Sequence, residues 1–99
     1  MSDHYILDGH QAVPVDLMTW AHWFEKAERH VANEMIGDVR ISTVFLGLDH
    51  RYGDDGPPLL FETMVFGGAL NEAQERCSTW EEAEHMHAVM VMRVKDSMQ

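Results

Sequence analysis

The stretch VRISTVFLGLDH (39–50), RYGDDGPP (51–58), LLFETMVFGG (59–68) decides the fold. Two β-type runs flank one polar connection rich in Gly and Pro, which predicts a β-hairpin with a long loop. In the first run Val39, Ile41, Thr43, Phe45 and Gly47 alternate with Arg40, Ser42, Val44, Leu46 and Leu48. Successive strand residues point to opposite faces, so the first set suits the core side. The second set begins polar and becomes apolar, which predicts cover on both faces at the far end. In the return run, Leu60, Glu62, Met64 and Phe66 share one face, and Leu59, Phe61, Thr63 and Val65 share the other. Glu62 is the discordant residue, a carboxylate inside an apolar strand. The connection at 49–58 exceeds a tight turn, and long ordered loops are often functional.

Upstream, YILDGHQAVPV (5–15) places two short apolar runs around Asp8-Gly9, a hairpin signal. His10 falls in or beside that turn. Pro14 lacks an N–H, so a second strand there is an edge or ends at it. Asp16 then suits a helix N-cap. Leu17, Trp20, Phe24, Ala27, Val31 and Met35 recur at three- and four-residue steps, which predicts a helix over 17–36. Gly37 suits the left-handed position that closes such a helix. Met18 and Trp23 fall off the stripe; Trp23 is expected on the flank of the core.

Downstream, Gly67-Gly68 lets the chain bend, and a short edge strand is expected near Arg76-Cys77. Ser78-Thr79-Trp80-Glu81 matches a capping box, S/T-x-x-E, and opens a second helix expected to reach Lys95. Trp80, Ala83, His87, Met90, Val91 and Val94 form its inward stripe, with His87 the polar member.

The chain has 99 residues, enough for one domain over 1–99, and 45 % of them are apolar. Seventeen acids against 7 Lys and Arg give a net charge of −10, dispersed except at Asp54-Asp55 and Glu81-Glu82-Glu84. That balance excludes direct nucleic-acid binding through a phosphate footprint, which needs clustered basic residues. The single cysteine, Cys77, excludes an internal disulfide and fits a reducing compartment. No signal-peptide pattern opens the chain, and no apolar run approaches membrane length. A soluble, cytoplasmic protein is expected.

The chemistry-bearing residues form no established motif. His85-Met86-His87 is an H-x-H triplet, but on a helix residues two apart point in nearly opposite directions and do not share a metal. One cysteine cannot build a thiolate zinc site. Cys77 precedes a helix N-terminus, where a thiol pKa tends to fall, yet His85 and His87 lie turns away on the same helix. There is no P-loop and no G-x-G-x-x-G. What is left is a loose constellation: Asp49, His50 and Arg51 at the strand–loop junction, Glu62 and Thr63 on the partner strand, and His87 facing inward. Discordant polar groups often converge at a ligand pocket. The bland alternative is that Glu62 and His87 satisfy each other or a backbone group.

The segments YILDG (5–9), STVFLGLDH (42–50), PPLLFETMVFGG (57–68) and STWEEAEHMH (78–87) together resemble a family of small uncharacterised proteins common in bacteriophages and prophages. The resemblance runs over nearly the whole chain, from Tyr5 to about Val91. It implies a phage or prophage origin and a host bacterial cytoplasm, and it carries over no catalytic residue. By analogy, small acidic phage proteins often act on a host system by binding a host protein or sequestering a small signal molecule.

The expected fold is α+β: a short N-terminal hairpin, a helix, an antiparallel sheet of two or three strands with a long loop, and a C-terminal helix packed on it. Both helices should cover one sheet face. The other carries Val44, Leu46, Leu48, Leu60, Met64 and Phe66, a surplus that predicts a homodimer or larger oligomer. The expected function is non-enzymatic binding, with no cofactor and no metal. The partner is a second copy, a host protein or a nucleotide-like ligand. Ligand-binding candidates are Arg40, Asp49, His50, Arg51, Glu62 and His87; a nucleotide would need Arg29, Arg40 or Arg51 gathered locally. The alternatives are a small metal-dependent hydrolase using His50, Glu62 and His87, or a structural phage component.

Overall fold

The computed structural model describes residues 3–51, 53 and 55–99; Tyr52 of the loop and Asp54 of the Asp54-Asp55 pair lie outside the described residues. The fold is α+β, as the sequence predicts: an N-terminal hairpin, a short helix, an antiparallel sheet and a C-terminal helix packed on it.

Strands β1 (Tyr5–Asp8) and β2 (Gln11–Pro14) pair antiparallel, with Asp8 opposite Gln11. The tight turn is therefore Gly9-His10, and its positive φ falls on Gly9. Pro14 ends the second strand. Helix α1 (Leu17–Phe24) starts at Asp16, whose Oδ1 accepts from the Thr19 N–H at 2.7 Å. That bond, with the Thr19 side chain, holds the Asp16 carboxyl below the usual carboxylate range.

The helix expected over 17–36 stops at Phe24, and its second half is strand β3 (His30–Ile36). Helical spacing and propensity lose here to a tertiary demand. Strand β4 (Val39–Phe45) is mostly buried, and its free edge would leave backbone groups without partners. Strand β3 supplies them, with Ala32 opposite Thr43, Glu34 opposite Ile41 and Ile36 opposite Val39. Local bonds at the switch disfavour a helix. The Glu28 carboxylate takes both the His30 N–H and its Nδ1, and the Arg29 guanidinium donates to the Phe45 carbonyl while lying 4.1 Å over the Phe24 ring. Gly37 is left-handed, as expected, but it turns a hairpin with Asp38 rather than closing a helix.

Strands β5 (Phe61–Phe66) and β6 (Gln74–Cys77) complete a four-stranded antiparallel meander in the order β3-β4-β5-β6. Phe45 pairs with Phe61, Thr43 with Thr63 and Ile41 with Val65. Helix α2 (Trp80–Ser97) lies on the face these residues share. Its Ala83, His87, Met90, Val91 and Val94 are buried, which matches the predicted stripe. The capping box sits one residue later than Ser78: the Thr79 hydroxyl accepts from the Glu82 N–H, and the Glu82 carboxylate accepts from the Thr79 N–H.

The core has two halves. Val39, Ile41, Val65, Met90, Val91 and Val94 form one; Phe45, Leu60, Phe61 and Ala83 form the other. The N-terminal hairpin and Trp23 pack on the second half, Trp23 edge-on to Phe45. Helix α1 shares the cover of the sheet only through Trp23, less than expected; its main packing is against β1. Leu60, expected on the opposite face, precedes β5 and is buried in the core. No helix of the described residues is long and apolar enough to cross a membrane.

Candidate functional site

The six predicted site residues do not meet in one place. Two of them, Asp49 and Arg51, make the long loop. Asp49 Oδ1 accepts from the Arg51 N–H at 2.9 Å and the Leu59 N–H at 3.1 Å, and its Oδ2 lies 2.8 Å from Arg51 Nε. Arg51 Nη1 reaches on to the Gly56 carbonyl at 2.7 Å. The Asp49 side chain is 6 % exposed and that of Arg51 17 %, so the pair closes the loop from inside. His50 follows Asp49 with its N–H on the Leu59 carbonyl and its side chain exposed.

Arg40 and Glu62 lie on the sheet face away from α2. The Arg40 guanidinium covers the Phe66 ring at 4.6 Å, and Glu62 forms a cross-strand ion pair with Arg76 at 2.9 Å. The partner expected for Glu62, His87, is on the other side of the sheet.

His87 is the centre of a polar chain that is buried except at its Glu34 end. Its Nδ1 lies 2.7 Å from the Thr43 hydroxyl, and its Nε2 lies 3.0 Å from Glu34 Oε1. Thr43 bonds in turn to Thr63, directly opposite on β5. The order carboxylate, imidazole, hydroxyl is that of a nucleophilic relay. Thr43, however, is 0 % exposed and enclosed between sheet and helix, so no substrate atom reaches its oxygen. The chain is chemically complete and structural. Periodicity found His87 and the discordant strand residues; it missed Thr43, which looks like any strand threonine, and Glu34, which stood on the wet side of the expected helix.

Cys77 reverses its expectation. Burial, and then the Glu82 carboxylate, push the thiol from an ordinary 9.0 up to about 11. Its S–H points to the Thr79 carbonyl at 3.7 Å. The helix-terminus effect is outweighed by burial of the thiol and, after it, by the negative charge of Glu82.

His50, Glu62 and His87, the triad of the hydrolase reading, are thus placed at a loop, on the open sheet face and under α2. Among the described residues no group of three or more His, Cys, Asp or Glu is placed to hold a metal ion. Arg29, Arg40 and Arg51 are also apart, each engaged by an aromatic ring, a carboxylate or a carbonyl. No protein-family model, curated protein or solved structure matches the chain.

Proposed function

We propose that the chain is a non-catalytic binding protein of phage type that works in the host cytoplasm through the open face of its sheet. Its first partner is a second copy of itself, and the dimer acts on a host protein. The observation that carries this reading is the composition of that face. Three cross-strand rows stand on it: His30, Val44, Glu62 and Arg76; then Asn33, Ser42, Met64 and Gln74; then Met35, Arg40 and Phe66. Helix α2 packs on the opposite face. Met35 is 62 % exposed and Phe66 39 %, beside the half-buried Val44 and Met64.

A lone antiparallel sheet with one solvated face normally alternates apolar-in with polar-out. Here the outer rows keep four apolar side chains, Val44, Met64, Met35 and Phe66, among polar residues and charges of both signs, the mixed composition of a non-obligate interface. A two-fold interface presents the same patch twice, so Arg40 and Glu62 of one copy can face the opposite charges of the other.

Sedimentation velocity at 10–100 μM tests the reading. A dimer is expected for the wild type, and a monomer with unchanged far-UV circular dichroism for Phe66→Asp and Met35→Asp. A monomeric wild type across that range overturns it.

A further inference from the structure

A cleft of about 590 Å³ opens where the β1–β2 hairpin, the end of the long loop and the first turn of α2 meet. None of its lining residues is on the open sheet face, so it is independent of the dimer. Tyr5, His10 and Trp80 supply its aromatic surface, with His10 stacked flat on Trp80 at 3.9 Å between centroids and 6° between planes. Asp8 from β1 and Glu81 from α2 supply its charge. Both are exposed, and among the described residues neither carboxylate has a hydrogen-bond or ion-pair partner. Among the described residues no Lys or Arg lines the cleft.

A helix start ordinarily favours an anion, through its free N–H groups and dipole. This one is already occupied by its own carboxylate. Glu82 Oε1 accepts from the Ser78 N–H at 3.2 Å and the Thr79 N–H at 3.1 Å. An anion entering the cleft would meet the Asp8 and Glu81 carboxylates. A cation meets two unpaired carboxylates on different elements and aromatic faces that attract positive charge. The chain's net charge of −10 raises the local cation concentration as well.

We infer that this cleft is a binding site for an organic cation, an alkylammonium or guanidinium group set between Asp8 and Glu81 with its stem against Tyr5 and the His10–Trp80 stack. The test is an NMR titration of ¹⁵N-labelled full chain at low salt, following the tryptophan indole N–H signals, with that of Trp80 assigned through Trp80→Phe. The probes are agmatine, a Gly-Arg-Gly amide, n-butanol and inorganic phosphate. Saturable shifts of the Trp80 signal are expected with the two cations. Asp8→Asn and Glu81→Gln should each weaken binding about two- to fivefold, the range of exposed ion pairs. Both side chains are exposed, so the double variant should keep the wild-type circular dichroism while losing most of the affinity. Tighter binding of the peptide than of agmatine identifies a protein side chain as the source of the cation; the reverse identifies a free amine, and both uphold the site. Saturation by phosphate, equal shifts with n-butanol, unchanged affinity in the double variant, or no saturable shift with either cation overturns it.

Discussion

The chain Thr63–Thr43–His87–Glu34, buried except at Glu34, makes a sharp prediction about non-additivity. With the Glu34 carboxylate accepting from Nε2–H, Nδ1 accepts the Thr43 hydroxyl proton, and Thr43 accepts the proton of Thr63. Thr43→Val keeps shape and β propensity but orphans two groups at once, the Thr63 hydroxyl and His87 Nδ1. Thr43 and Thr63 are 0 % exposed and His87 4 %, so water cannot replace the lost partner. At about 1–3 kcal/mol per unsatisfied buried group, Thr43→Val should destabilise by about 2–6 kcal/mol. Thr63→Val removes only a donor to Thr43, whose own proton still reaches His87, and should lose about 0.5–1.5 kcal/mol. The double variant removes the orphaned Thr63 hydroxyl and leaves only Nδ1 unmet. It should therefore be more stable than Thr43→Val alone, by about 1 kcal/mol. Urea denaturation of the four proteins, with unchanged m-values, measures the cycle. Additive losses would refute the proposed order of protons, and a neutral Thr43→Val would refute the buried chain itself.

Three further substitutions or conditions probe the rest of the fold. Gly47 is left-handed at φ +78, and a Cβ there would lie 2.9 Å from Trp20 Nε1 and 3.0 Å from Phe24 Cε2. Gly47→Ala should destabilise by about 2–4 kcal/mol, read by thermal denaturation, because strain and overpacking act together. Asp49→Ala should destabilise by about 2–4 kcal/mol in urea, since it removes the carboxylate partner of Arg51 Nε and the acceptor of the Arg51 and Leu59 N–H groups inside the loop. Cys77 binds its proton more tightly folded than unfolded, so the stability it contributes is complete below pH 9 and is lost as pH rises from 9.0 towards about 11. Native Cys77 should accordingly react with iodoacetamide at pH 8.5 more slowly than the urea-unfolded chain.

Much of the fold was legible because its signals were local. Asp8-Gly9, the polar 49–58 connection and the S/T-x-x-E start of α2 each encode a turn or cap within a few residues, and each is where expected or one residue away. The stripe of α2 was legible because it is long. The error at 17–36 has a physical cause. Glu25 to Ile36 is a good helix by spacing and propensity, with no breaker before Gly37. Its conversion to β3 is decided by the unpaired edge of β4, the strand that follows it after the Gly37-Asp38 turn. The overlooked local signal was Ile36-Gly37-Asp38-Val39, a two-residue Gly-Asp hairpin loop that fits a strand on both sides. A left-handed glycine alone cannot tell a helix end from a hairpin turn; the aspartate and the apolar run after it can.

The polar exceptions in the strands show why discordance is a weak guide to function. Asp49 was picked out at a strand–loop junction, Glu62 inside an apolar strand and His87 inside an apolar helix stripe. All three have partners: Asp49 holds Arg51 and the loop, Glu62 holds Arg76, and His87 joins Thr43 to Glu34. A polar group enclosed by a small core must be satisfied or the fold fails, so most survivors are structural. The informative charges are those that the fold leaves unpaired beside a concavity. Asp8 and Glu81 meet that criterion, and in the sequence they are an ordinary turn residue and an ordinary first-turn acid. Nothing in their spacing brings them together; the packing of the N-terminal hairpin against the start of α2 does.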